Sequence, residues 1–257
     1  MKNKSVIFAI CGVVLIGFAA LIVHNYKTKT SFKYNAQKAE ELKPQQNEQD
    51  AVSAKVNEEA QKLTKTRLDS GLLKISADDF VLGDASAPVT FIEYASLSCP
   101  HCASFSRESF EKLKEEYVQT SKIKFVFRNF PLNQPALTAG MYAICQAQSN
   151  KAESSERYYN SIKVLFKTQD SWAFDEKYAE KLEAIAKLDG MSSERFKRCI
   201  NDQNLQEKIL RARMEAAQNL QLRSTPSFFV NGEALEGYID YQTLKKLIDK
   251  KLAETSN

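Results

Sequence analysis

Apolar and polar positions divide the chain into three stretches of different character. From Val6 to Val23 the run "VIFAICGVVLIGFAALIV" is uncharged and mostly apolar, with Lys2 and Lys4 ahead of it. A basic region followed by an apolar one predicts a secretory signal or a signal anchor over residues 1–25. Gly17, Phe18 and Ala19 fit the small-x-small cleavage rule, which favours removal. The run also reaches the roughly 18 residues that span a bilayer, which favours retention. Lys27, Lys29 and Lys33 on the far side blunt any orientation from charge. Cys11 lies inside the run with no lipoprotein-like lead-in and reads as an apolar filler. Residues 26–71 then turn to Lys, Gln, Glu, Asn and Ala without the aromatic and β-branched content of a core, a polar linker. Val52, Val56, Ala60 and Leu63 recur within it at helical spacing, which fits a solvated helix or a short self-association helix.

Residues 72–253 carry the periodicities of a folded domain. "PVTFIEYA" (Pro88–Ala95) is β-branched and aromatic and predicts a strand. A helix follows to about Tyr117, with Phe105, Phe110 and Leu113 on one side, and "KIKFVFRNF" (Lys122–Phe130) predicts a second strand closed by Pro131. A strand, a helix and a strand in so short a span form a βαβ unit, so the two strands should be parallel. Apolar stripes then recur at helical spacing: Leu137, Met141, Ile144 and Cys145; Tyr158, Ile162, Leu165 and Phe166; Tyr178, Leu182, Ile185 and Ala186; Phe196, Cys199 and Ile200. Asp189-Gly190 followed by Ser192 marks one helix end and the next N-cap. A longer helix carries Leu205, Ile209, Met214 and Leu220, and Trp172 with Phe174 reads as core filling. The chain returns to strand at "PSFFV" (Pro226–Val230), turns at Asn231-Gly232, and answers with "EALEG". A last helix over Tyr241–Leu252 packs Leu244, Leu247 and Ile248. This is an α/β domain with a helical subdomain inserted at about residues 133–222.

Composition narrows the function. The 257 residues are 43% hydrophobic and 26% charged, with a formal net charge of +4. Charges of both signs are interspersed, and the absence of a basic stripe argues against nucleic acid as a partner. Five cysteines are too few to staple a mini-protein. Export would place them in an oxidising compartment.

The chemistry centres on "SLSCPHCASF" (Ser96–Phe105). A structural zinc site needs four ligands, and the chain offers this one CxxC with His24 and His101 as its two histidines. Covalent haem needs CxxCH, and Ala103 stands in the histidine's place. A purely structural disulfide across so short a gap constrains the unfolded chain little. A reaction centre fits better. Cys99 would begin a helix, where unpaired amides and the dipole favour a thiolate, and His101 is a further positive partner. Pro100 presets the first turn, and Cys102 lies one turn deeper, able to close on Cys99. A stabilised thiolate leaves easily, so the Cys99–Cys102 disulfide would be oxidising. Glu93 alternates with Val89 and Phe91 on its strand, which suggests burial; an exposed strand-end glutamate is the other reading.

"CPHC" directly after a strand, with Ala-Pro-Val at Ala87–Val89 before it and "STPSFFVNG" much later, resembles the DsbA-type branch of the thioredoxin superfamily. The resemblance covers about Leu72 to Leu252. It implies a thioredoxin fold with an inserted helical subdomain, and a protein-disulfide oxidoreductase, a thiol oxidase in the periplasm. It implies that Pro226 is cis, with the Thr225 backbone beside Cys99 ready to pair with a substrate peptide. It also implies that Glu93 is the family's buried acid, relaying the proton of Cys102. Cys145 and Cys199 by themselves read as buried thiols; some DsbA relatives have a second disulfide in this region, which implies a structural Cys145–Cys199 bond. The partners implied are exported proteins with free thiols and a quinone-linked membrane protein that reoxidises the pair, with no metal and no cofactor. Membrane contact would require a retained N-terminal segment. Thr225 stands where the best-known oxidases have valine and isomerase relatives have threonine, so isomerase or reductase remains beside oxidase. A membrane-tethered binding module without turnover is the reading from another class.

Overall fold

The computed structural model describes residues 71–255, together with Lys62 and Arg67. The apolar N-terminal run with Cys11, and nearly all of the polar linker, lie outside the described residues.

Five strands form one sheet in the order β1-β3-β2-β4-β5: β1 (Val81–Leu82), β2 (Val89–Ala95), β3 (Ile123–Asn129), β4 (Ser227–Val230) and β5 (Glu233–Glu236). β2 and β3 run parallel, with Phe91 opposite Phe125 and Glu93 opposite Phe127. The other pairings are antiparallel, and β4 sets Phe228 opposite Glu93. The parallel pair is joined by α1 (100–118), a continuous helical run that widens into π turns at Ser106–Phe110 and Lys114–Val118. After β3 come α2 (Gln134–Ala147), α3 (Ser154–Lys167), α4 (Tyr178–Leu188), α5 (Ser193–Ile200) and α6 (Gln203–Asn219); α7 (Tyr241–Thr255) ends the domain. The turn at Asn231-Gly232 uses positive φ at both residues, 45° and 87°.

Strand alternation assigns the two faces of the sheet. Val89, Phe91, Phe125, Phe127, Phe228 and Val230 point to one side and share a core with α1, α3 and α7. Ile92, Tyr94, Val126 and Phe229 point to the other, under Ala216, Leu220 and Leu222. Burying each large apolar side chain contributes about 1.5–3 kcal/mol, so both faces must be covered before the sheet is stable. A third, smaller core of Leu137, Met141, Cys199 and Ile209 lies within the helical insert. α2 is buried around much of its circumference, as expected of a helix packed on several sides. It passes so close to β3 that a Cβ on Gly140 would come within 2.6 Å of Asn129 Oδ1.

Four elements differ from the sequence reading. β1 is two residues long and pairs with β3, too short to carry a period of its own. Arg67, assigned by sequence to the linker, is 8% exposed; it donates to the Leu220 carbonyl at 2.8 Å and pairs with Glu236 at 3.2 Å. The packed unit therefore reaches back to Lys62. Trp172 is fully buried and donates to the Leu165 carbonyl at 3.1 Å, whereas Phe174 is 67% exposed. The two lie in an irregular segment, where sequence spacing does not set a face. Met214 is half exposed and the buried face of α6 runs through Ile209 and Ala216, because residue 214 is off the three-four spacing from Ile209.

Candidate active site

The redox segment is built where β2 hands the chain to α1. After Ala95 the strand ends in a turn, closed by the Cys99 amide donating to the Ser96 carbonyl at 3.0 Å. Cys99 is the N-cap of α1 in extended conformation, and Pro100 occupies the first helical position, where a missing amide hydrogen costs nothing. Both sulfurs are free thiols, so the structure describes the reduced pair. Cys99 is 7% exposed and Cys102 is fully buried.

The two thiols have opposite acidities. Cys99 is lowered from an ordinary 9.0 to about 5. The largest cause is a hydrogen bond from the Cys102 thiol; burial opposes it, and the Thr225 side chain and the backbone amides of Cys102 and His101 assist. Cys102 is pushed far up, first by burial, then by donating its hydrogen bond to Cys99 and by the negative charges of Glu93 and Cys99. A thiolate and a thiol side by side are what a disulfide exchanger needs: one sulfur ready to attack or leave, the other holding its proton.

His101 stands between them with an exposed side chain. Its backbone amide is one of the groups that lower the Cys99 thiol. Thr225-Pro226 is a cis peptide bond, and the Cys99 thiol donates to the Thr225 carbonyl at 3.3 Å across 126 positions of sequence. The Thr225 hydroxyl is buried and has no partner other than that sulfur. Glu93 is 3% exposed, as alternation implied, and its Oε1 has no hydrogen-bond partner. Burial, and secondarily the charge on Cys99, push its carboxyl well above the ordinary range.

Cys145 and Cys199 form a disulfide between α2 and α5, remote in sequence from the redox pair. Among the described residues no group of three or more His, Cys, Asp or Glu is placed to hold a metal.

One residue of this site escaped the sequence reading. Gln169, in the short turn after α3, is buried, and its side-chain amide donates to the carbonyls of Leu97 at 2.8 Å and Cys99 at 3.0 Å. It ties the helical insert to the backbone that presents Cys99. Its signal was in the pattern: it continues the stripe of Ile162, Leu165 and Phe166 by one helical turn, a polar residue on a core-facing stripe.

Comparison with known proteins agrees with this geometry. A thioredoxin family model matches residues 75–250. The crystal structure of Wolbachia pipientis alpha-DsbA1 is similar with a TM-score of 0.67 and 34% identity, covering 72% of this chain and 96% of that one. A Rickettsia typhi protein that carries a protein-disulfide oxidoreductase name is 34% identical over 181 residues, 70% of this chain and 64% of the relative. A Rickettsia bellii protein of the same name is 31% identical over 206 residues, 80% of this chain and 77% of the relative. By these matches the chain belongs to the thioredoxin family, in its DsbA-type branch of thiol–disulfide oxidoreductases.

Proposed function

We propose that the protein is an oxidase that passes the Cys99–Cys102 disulfide to exported proteins carrying free thiols. A substrate thiolate attacks Cys99, the Cys99–Cys102 bond breaks, and Cys102 leaves with the electron pair and takes up a proton. A second substrate thiolate then attacks the substrate sulfur of the mixed disulfide, forming the substrate disulfide and releasing Cys99 as a thiolate. The observation that carries the direction is the Cys99 thiol held near pH 5, because stabilising the reduced form makes the disulfide a stronger oxidant.

The Thr225 carbonyl, beside Cys99, supports a substrate segment pairing with this edge before Pro226. Glu93, buried beside the pair, supports a relay for the proton that Cys102 gains and loses. The Cys145–Cys199 bond has a structural role in this reading. A quinone-linked membrane protein would restore the disulfide. The compartment is the periplasm, with the domain either freed by signal cleavage or held at the inner membrane by residues 1–25. No helix among the described residues is long and apolar enough to cross a membrane.

The test is the reduction potential of the pair, equilibrated against glutathione. A value nearer the about −120 mV of a strong oxidase than the about −270 mV of thioredoxin is expected, and a value at the thioredoxin end overturns the direction. Thr225 keeps isomerase as the second reading. Sizing of the exported fragment separates the two, a monomer favouring oxidase and a dimer favouring isomerase.

A further inference from the structure

The turn that carries the chain from β2 into α1 is held from several directions, and Ser96 is its centre. Ser96 is buried. Its carbonyl accepts from the Cys99 amide at 3.0 Å, which sets the entry into α1. Its hydroxyl oxygen accepts from the Leu132 amide at 3.3 Å and the Ser98 amide at 3.4 Å, and lies 3.2 Å from the Ser98 hydroxyl. Its own amide bears on the other sulfur. Burial, the hydrogen bond to Cys99 and the charges on Glu93 and Cys99 push the Cys102 thiol up, and the Ser96 backbone acts against them. Carbonyl, amide and hydroxyl of one residue are thus turned toward the redox pair or toward what holds it.

The hold on Ser96 comes from outside its own segment. Leu132 lies just beyond β3, where the Phe130 amide donates to the Ala95 carbonyl at 2.7 Å. Between them the Pro131 carbonyl accepts from Arg213 Nε at 2.8 Å, and the Arg213 guanidinium lies 5.0 Å from the centre of the Phe130 ring. Arg213 belongs to α6, so a line of contacts runs from α6 through the exit of β3 to the Ser96 hydroxyl. A buried hydroxyl is costly unless it is hydrogen-bonded, and alanine would fill nearly the same space. The use of the oxygen at this position is therefore the bonds it makes to Leu132 and Ser98.

We propose that Ser96 is a positioning residue for disulfide closure: its hydroxyl pins the strand-to-helix turn so that the Cys102 sulfur is aligned on Cys99. The step that depends on it is the intramolecular one. With oxidised glutathione as the oxidant, the Cys99 thiolate attacks one glutathione sulfur. A mixed disulfide forms, and the other glutathione leaves as a thiolate that takes a proton from solvent. Cys102 then loses its proton, and its sulfur attacks the Cys99 sulfur. The Cys99–Cys102 bond forms, the bond to glutathione breaks, and the second glutathione leaves with the electron pair. The pair is oxidised and the glutathione disulfide is reduced. The first step uses Cys99 alone, whereas the second needs two sulfurs in line, and such reactions slow steeply when alignment is loosened. The inference concerns the geometry of the pair and holds for electrons moving in either direction.

The experiment reads the two steps separately in the full-length chain. Reduced protein is mixed with oxidised glutathione, quenched with acid at intervals, and its products are resolved by mass: the mixed disulfide appears in the first step and disappears in the second. Ser96→Ala should leave formation of the mixed disulfide within about twofold of wild type and slow its closure about tenfold, the factor that one lost hydrogen bond carries on a barrier. Arg213→Gln, half-buried at the far end of the line of contacts, covers the case in which the serine variant disturbs folding. It should slow closure by a smaller factor and spare the first step. Closure at the wild-type rate in both variants overturns the proposal. Equal slowing of both steps also overturns it, because Ser96 would then serve only the general integrity of the fold. A wild-type protein that forms no mixed disulfide would instead overturn the redox reading of the pair.

Discussion

The molecule holds two cysteine pairs in opposite circumstances. Cys99 and Cys102 sit three positions apart at the start of α1, one with its pKa lowered and the other with its pKa raised, next to a carboxyl with an unpartnered oxygen. Cys145 and Cys199 lie 54 positions apart, close α2 onto α5, and occupy the small apolar core of the insert. On the same helix as Cys145, the Tyr142 hydroxyl donates to Asp189 at 2.7 Å, and the Gln146 amide donates to the Asp189 carbonyl at 2.6 Å. A short loop with unbalanced electrostatics makes a disulfide worth exchanging. A long loop in a packed core makes one worth keeping. Sequence separation and local charge, more than the sulfur chemistry, divide catalyst from staple.

The sharpest way to break this contrast is to remove one sulfur from each pair. Cys99→Ser should abolish thiol exchange in an assay with a reduced, unfolded protein, whereas Cys145→Ala with Cys199→Ala should leave the rate per folded molecule unchanged. Exchange at the wild-type rate in Cys99→Ser would remove Cys99 from the reaction.

pH separates the redox states of the first pair. The reduced Cys99 thiol titrates near 5 in the folded protein against an ordinary 9.0. Because its folded value is depressed, its contribution is full above pH 9, declines as pH falls, and vanishes below about pH 5. Denaturant unfolding of reduced and oxidised protein across that window should show the reduced form gaining on the oxidised one as pH rises. Glu93 works the other way: its raised value favours folding below the ordinary carboxylate range and costs stability as pH rises toward its folded value. Repeating the series in Glu93→Gln isolates the Cys99 contribution.

Loss of the second pair should be felt in stability alone. Closing a loop of this length removes about 4 kcal/mol of unfolded-chain entropy, so the double alanine variant should unfold at correspondingly lower urea. A loss well below that would mean that the helices of the insert hold themselves together.

Gln169→Leu has the smallest expected effect and is the most local. It withdraws the donor shared by the Leu97 and Cys99 carbonyls and should cost about 1–3 kcal/mol for buried acceptors left unmet. It should also raise the Cys99 titration, read by thiolate absorbance, since the backbone that aims the His101 and Cys102 amides is no longer held. An unmoved titration with reduced stability would assign Gln169 to packing alone.

Much of this architecture was legible in the chain. β2, β3 and α1 follow from a β-branched run, a helix opener with Pro100 and a second β-branched run, and the Asn231-Gly232 turn follows from residues that tolerate positive φ. Ser192 caps α5 as its position implied, accepting from the Arg195 amide at 3.3 Å. What was missed lacks a period or depends on distance. β1 is too short to alternate, Phe174 follows Trp172 in a segment with no regular face, and Arg67 looks like any linker charge until Leu220 and Glu236 are brought to it.

By itself the sequence determined that a CxxC opens a helix directly after a strand, because spacing, a proline and turn residues act over a few neighbouring positions. Only the tertiary structure decided which sulfur ionises, since that depends on donors and burial supplied from far along the chain. Thr225 reaches Cys99 from 126 positions away, Gln169 from 70, and Glu93 is buried by the packing of helices on its face of the sheet. Local chemistry is written in local order; acidity belongs to the folded surroundings.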